Sequence, residues 1–523
     1  MNDDTQAYTS EGIALVNQGR SAEAVAYFEE AVRLEPNNAH VYNNLANVYL
    51  FMGRYDDAIA NYRYAIHLMP GHAGYHNHLS YAYIKRSSGQ DAEECARQAI
   101  WLQPDFAEAH NHLGIALGIL KRYEEAEMSY RESLRLNPGF AHAHSNLAQL
   151  HVLQHRDDEA LTHAETAIHL DPQLAEPYAT RSSVYLRQNK LEEALASCQQ
   201  ALERNPQLPE AHLHLATAYL KQGRLAEAAA VCREVQRLRP DPSDPNHRDM
   251  EYILGMVALK ENRLEDALGS FTALLRYKPE DAQIHFNRSL IWLLQGNYEQ
   301  GWPEYEWRWH WKDFVVRPFA YPMWDGSPLD GKTIVLHAEQ GIGDTLQFIR
   351  YAPLVKQRVS LPDAETTVIF ACPKALLKVL SKCAGIDQLV VQETFTALSD
   401  EHISLLSLPT VLKTTVATIP ADVPYIVPDS ALVESWRGEI RAAPGFNIGI
   451  AWHGSPQHAD NRHRSVPLVE FAPLRRVPGI RWFSLQKGPG QDQAATAPFD
   501  LVDLSPRLDE ASGAFMDTAA VMK

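Results

Sequence analysis

Cysteine is scarce in this chain. The five present (Cys95, Cys198, Cys232, Cys372 and Cys383) are odd in number and form no CxxC pair, which points away from a disulfide framework or a zinc cluster and fits a reducing compartment. No apolar run reaches the roughly 18 residues that a membrane-spanning helix needs. The opening MNDDTQAYTSEG lacks the basic and apolar stretches of a secretory leader, so a cytoplasmic location is expected. Positive charge is also in deficit: 48 Lys and Arg stand against 65 Asp and Glu, a net charge of -17 that disfavours a nucleic-acid or anionic-membrane partner. None of the 23 histidines has HExxH or comparable ligand spacing, so no metal is expected. With 45% hydrophobic and 22% charged residues the 523-residue chain is globular in composition and too long for one core.

What is present is a period. Proline recurs at 36, 70, 104, 138, 172, 206 and 240, each step being 34 residues, and an eighth copy ends at Pro279 after a step of 39. Twelve positions before each proline stands a small residue (Ala24, Ala58, Ala92, Ala126, Ala160, Ala194, Ala228, Ala267), with Gly301 at the same phase of a ninth copy. Four positions further on, Phe28, Tyr62, Tyr130, Cys198, Cys232 and Phe271 supply bulk, and Leu45, Leu79, Leu113 and Leu147 sit on a partner helix. Small and bulky residues at fixed phase imply two helices crossing closely in every copy.

This pattern resembles the tetratricopeptide repeat over residues 1–309. The resemblance implies a right-handed α superhelix whose first helices line a concave groove, and such arrays hold other polypeptides. The residue just before the leucine phase is then expected in the groove: Asn44, His78, His112, Asn146, Thr180, His214, Ile253 and Asn287. Asn carries donors and an acceptor and neutral His one of each, so these rungs could grip an extended peptide backbone, or simply be solvated.

From Gly301 to Trp324 the chain holds five of its ten tryptophans, a patch too apolar to leave wet. It reads as a stiff joint, with a ligand-stacking platform as the other reading, and residues 310–330 form the aromatic linker. Beyond it short β-rich runs (332–337, 367–371, 388–391) alternate with helical stretches, which predicts an α/β region with a mostly parallel sheet covered on both faces. Residues 325–523 carry a net charge of only -4, against -13 for residues 1–324.

Two segments there bear chemistry. Ile334 to Arg350 runs from a strand through Gly341-Ile-Gly343-Asp344 into a helix, placing the loop at the carboxyl edge of the sheet. Asp344 reads either as an N-cap or as a base for a substrate hydroxyl, and Glu339 is a second candidate base. Phe446 to Pro456 is another strand entering a small-residue loop, and between Phe446 and Lys487 six cations face two acids, a local reversal of sign suited to an anion such as a diphosphate.

The motifs WDGSPLDGK, AEQGIGDTLQFIRYAP, SLPTVL, IGIAWHGSP, RSVPL and SLQKG, in this order from Trp324 to Gly488, look like bacterial proteins that fuse tetratricopeptide repeats to a GT-B glycosyltransferase module. Those are similar to the heptosyltransferases and, more distantly, to protein O-GlcNAc transferase. The resemblance implies two Rossmann-like lobes, here 331–440 and 441–523, and sugar transfer from a nucleotide sugar without a metal or other cofactor. Asp344 would be the catalytic base, and Gly341, Gly343, Arg462, Arg464, Ser465, Gln486 and Lys487 would bind the donor, with a polypeptide acceptor along the repeats. Two departures stand out: His453 replaces a small residue, and the 78 residues after Gly445 supply about three strands where a doubly wound lobe needs five or six, so the second lobe is expected to be incomplete. The alternative is a non-catalytic interaction scaffold with a degenerate or truncated module.

Overall fold

Each 34-residue step is one helical hairpin. The computed structural model describes residues 3–241, 244–311, 314, 319–361, 364–395, 399–441, 445–456 and 461–523, without the side chains of 462 and 463. Among the described residues nine helix pairs follow one another, from Asp3–Asn17 with Ser21–Leu34 to Ala282–Leu294 with Tyr298–Tyr305. The turn inside each pair closes on one residue of positive φ: Gly19, Gly53, Ser87, Lys121, His155, Asn189, Gly223, Asn262 and Gly296. A left-handed residue satisfies the last carbonyls of the first helix and reverses the chain in the fewest residues.

Size complementarity locks the two helices of a pair. Ala24, Ala58, Ala92, Ala126, Ala160, Ala194, Ala228 and Ala267 are all 0% exposed, as expected of a close crossing. The bulky residue four positions on inserts toward a small residue of the first helix. A Cβ at Gly12 would lie 2.8 Å from the Phe28 ring, at Gly114 2.6 Å from Tyr130, and at Gly255 2.9 Å from Phe271. Leu45, Leu79 and Tyr83 continue one buried cluster across repeats, so each hairpin supplies the apolar face its neighbour lacks.

The chain divides into two compact units, Met1–Leu274 and Leu275–Lys523, and the ninth helix pair falls in the second. The first unit is a tetratricopeptide-like superhelix. The second contains two small parallel sheets. Strands β1 (Thr333–His337), β2 (Thr367–Cys372), β3 (Gln388–Val391) and β4 (Glu401–Ser404) form one in the order β3-β2-β1-β4, with His337 opposite Ala371 on one side and Ser404 on the other. Strands β5 (Phe446–Ile450), β6 (Ile480–Ser484) and β7 (Leu501–Asp503) form the other, in the order β5-β6-β7.

The first sheet departs from expectation on one face. One side packs on Phe348, Ile349 and Val355, but among the described residues Val335, Ile369 and Ala371 on the other are covered by Phe319 and Tyr321, with Val390 and Phe395, and not by a helix. The tryptophans behave as a joint: Trp302 meets Phe348 edge-on at 5.7 Å, Trp307 stacks on His285 at 3.9 Å, and Trp324, 1% exposed, donates through Nε1 to the Ser327 carbonyl. No described helix is long and apolar enough to cross a membrane.

Candidate functional site

Several of the residues expected in the groove are tied to the repeat before them. His78 Nδ1 lies 2.8 Å from Asn43 Oδ1, His112 Nδ1 2.7 Å from Asn77 Oδ1, and Asn146 Nδ2 donates to Asn111 Oδ1 at 2.9 Å, each reaching 35 residues back to the preceding repeat. His214 Nδ1 lies 2.9 Å from Ser182 Oγ, whose hydroxyl already donates to the Ala179 carbonyl. An amide oxygen only accepts, so Nδ1 of His78 and His112 carries the proton, and the same logic holds for His214. The Nε2 atom of all three is then a lone pair with no side-chain partner among the described residues.

Burial keeps these imidazoles neutral. It pushes His112 down to about 4, with His78 adding to the effect, pushes His214 to about 4, and lowers His78 as well. Thr180 bonds back to the Glu176 carbonyl, and Ile253 lines a cavity together with His214. Asn44 makes no side-chain hydrogen bond among the described residues, while Asn287 is buried and lies in the second unit. The holders Asn43, Asn77 and Asn111 escaped the sequence reading although they recur with the same 34-residue spacing, directly before the rungs.

In the α/β unit most of the expected site residues hold the fold. Glu339 is not an open base. Its oxygens accept from Arg308 Nε and Nη2 at 2.7 Å each and from the Ser404 hydroxyl, and Arg308 also bonds Glu306 and Ser407. Nothing in the sequence flagged Arg308, which is 0% exposed. The Asp344 carboxylate turns back to the Gly341 amide at 3.1 Å, so the capping reading describes its Oδ2, while Gly341 and Gly343 stay exposed at the carboxyl end of β1.

Across the second sheet, Gln486 clasps the loop after β5: its Oε1 accepts from the Trp452 and His453 amides at 2.9 Å each, and its Nε2 donates to the Pro489 carbonyl. Ser465 Oγ accepts from the Gly454 amide and donates to Asn461. Lys487 Nζ is spent on the Leu508 carbonyl and on Glu510 at 2.6 Å. Arg464 is exposed and pairs with nothing among the described residues, and the Arg462 side chain lies outside them. A cavity of about 310 Å³ in this unit is lined by Tyr298, Trp302, Pro409, Thr410 and Lys413, not by Asp344 or the expected donor-binding residues.

Comparison with known proteins matches the repeat region. Residues 5–252 match the family described as cilia and flagella-associated protein 70 C-terminal domain, and residues 252–301 match the tetratricopeptide repeat. Protein FlbA of Caulobacter vibrioides is 25% identical over 304 residues, 52% of this chain and 50% of that protein, so the chain spans about half the length of the curated relative it matches. Among solved structures, the APC/C hetero-tetramer Cut9-Hcn1 is 15% identical with a TM-score of 0.48, covering 55% of this chain and 56% of that one. A tetratricopeptide repeat protein from Parabacteroides merdae is 17% identical with a TM-score of 0.41, covering 49% and 99%.

Proposed function

We propose that this chain is a protein-interaction scaffold whose repeat groove holds an extended segment of a partner polypeptide. The observation that carries this reading is the inter-repeat ladder. His78, His112 and Asn146 each spend one polar atom on the repeat before, which fixes the rotamer, and keep one for a ligand, so this part of the groove is ordered before anything binds. Neutral imidazoles suit backbone amides better than they suit ions. The test is binding of fluorescein-labelled extended peptides to the whole chain, read by anisotropy, with His112→Ala and Asn146→Ala as groove variants. Weaker binding by both, with melting temperatures unchanged, supports the reading; unchanged affinity refutes it.

Glycosyl transfer by residues 331–523 is the second reading, with a nucleotide sugar as donor, Asp344 as base and the groove-bound polypeptide as acceptor. It is favoured by one observation: Gly341–Asp344 and Trp452–Pro456 follow β1 and β5, at the carboxyl ends of two parallel sheets, where open α/β folds bind ligands. A nucleoside diphosphate that raises the unfolding temperature, and does so equally in Asp344→Asn, supports it. Absence of any shift with uridine, guanosine and adenosine diphosphates leaves the scaffold as the account.

A further inference from the structure

Between the first helices Pro209–Gln222 and Pro245–Lys260 lies a cavity of about 260 Å³. Its walls include Glu210, Leu213, His214, Asp249, Tyr252 and Ile253, and no lysine or arginine. His214 and Ile253 are groove positions, so the cavity belongs to the surface assigned above to the partner.

The two carboxylates differ from several acids on the second helices of these repeats. On the second helices Glu227 pairs with Arg224, Glu234 with Arg237, and Asp266 with Arg263. Glu210 and Asp249 form no ion pair among the described residues, nor does Glu176, which holds the same phase one repeat earlier. Glu210 and Asp249 are both exposed at the mouth of the cavity, and crowding around the Asp249 carboxyl raises it, with neighbouring Arg248 acting in the opposite sense. Of the cations of the same two helices, Arg248 adjoins Asp249 in the chain but does not line the cavity, and Lys221 and Lys260 stand eleven residues beyond Glu210 and Asp249, about 16 Å along each helix axis.

Most polar side chains of the cavity offer acceptors. Besides the carboxylates, His214 keeps only its Nε2 lone pair, and the Thr217 hydroxyl already donates to the Leu213 carbonyl. The remaining walls are Leu213, Ile253, Tyr252 and Asn246, whose Nδ2 donates to Asp244 Oδ1 at 3.0 Å. Two carboxylates and an imidazole lone pair, above an apolar wall with one aromatic face, complement a group that carries several N–H donors on an aliphatic stem. We propose that this cavity receives an arginine or lysine side chain of the extended partner segment, which makes the partner of this groove a basic polypeptide. The acidity of residues 1–324, net -13, acts in the same direction by drawing such a segment in. The proposal rests on the groove reading and adds the charge of the ligand.

The test uses the whole chain and labelled peptides of repeating Ala-Arg-Ala-Gly, with Lys, Gln or Glu replacing Arg in three others. The Arg and Lys peptides are expected to bind, and Glu210→Gln with Asp249→Asn to weaken them by about tenfold or more, as loss of a charge-assisted pair implies. Glu210→Lys with Asp249→Lys should shift preference to the Glu peptide. If the Gln peptide binds the parent as well as the Arg peptide does, the basic pocket is overturned while the groove reading stands. If no peptide binds, both fall. Should the double variant unfold, the Arg-to-Gln affinity ratio on the parent chain decides alone.

Discussion

Arg308 and Glu339 form a buried bidentate pair, Nε to Oε1 and Nη2 to Oε2 at 2.7 Å each, that ties the ninth helix pair to the end of β1. The guanidinium also lies over the Tyr305 and Trp309 rings, at 4.7 and 4.5 Å. Removing one partner strands the other charge away from water, so Arg308→Met is expected to cost about 3–5 kcal/mol, and Arg308→Met with Glu339→Gln much less. The readout is selective. Nine of the ten tryptophans lie beyond Leu275 and only Trp101 precedes it, so indole emission during urea unfolding follows the second unit. An equal loss in single and double variants would show that packing of the arginine stem, not its charge, is what matters.

Gly114 and Gly118 share one helix and should respond oppositely to alanine. A Cβ at Gly114 meets the Tyr130 ring at 2.6 Å, whereas at Gly118 nothing lies within 4 Å. Alanine gains up to about 1 kcal/mol of helix propensity at either site, but overpacking costs about 1–3 kcal/mol at the first. Gly114→Ala is therefore expected to lower the thermal midpoint followed by far-ultraviolet circular dichroism, and Gly118→Ala to hold or raise it. Tyr130→Leu in the Gly114→Ala background should restore part of the loss.

The repeat fold was legible because its cause is local and repeated: Ala24 through Ala267 are small where helices cross, and their spacing needs no knowledge of distant contacts. The α/β region was legible in strands with an apolar run, such as β1, β2 and β3, but β4 was missed, since four residues with Glu401 and His402 inside carry no apolar run. The candidate site was legible in position and much less in role. Glu339 and Gln486 have the residue types of chemistry, yet their partners, Arg308 and the Trp452 and His453 amides, lie 31 to 34 residues away in the chain, where spacing predicts nothing. Glu210 and Asp249 look like any surface acids until the cavity between their helices is seen.

Lys121 is held at φ 60 in the turn where Gly19 and Gly53 stand in other repeats. A side chain in the left-handed region costs about 1 kcal/mol, which glycine avoids, while a glycine loses more freedom on folding, so the gain is a fraction of that figure. Lys121→Gly is expected to raise the thermal midpoint slightly, and Lys121→Val to lower it clearly because a β-branched residue tolerates that region least. A valine variant as stable as the parent would mean the turn relaxes to another conformation.

Acid should loosen the repeats before it titrates their carboxylates. Burial lowers His112 and His214 to about 4 from the ordinary 6.5, and His163 to about 4 with His144 and His151 contributing. A depressed folded-state value means that, between pH 6.5 and 4, the unfolded chain takes up protons that the folded chain refuses. Their stabilising contribution is thus complete above pH 6.5 and is lost progressively as pH falls toward 4. The thermal midpoint of the repeat unit is expected to fall between about pH 7 and 5, above the range in which the ion-paired carboxylates protonate. His112→Gln keeps a hydrogen-bonding group opposite Asn77 but cannot titrate, so it should flatten the slope even if it lowers the midpoint at neutral pH. A slope unchanged in that variant would place the acid sensitivity elsewhere, at His144, His151 and His163 first, because His144 and His163 already sit with their Nδ1 atoms 2.9 Å apart.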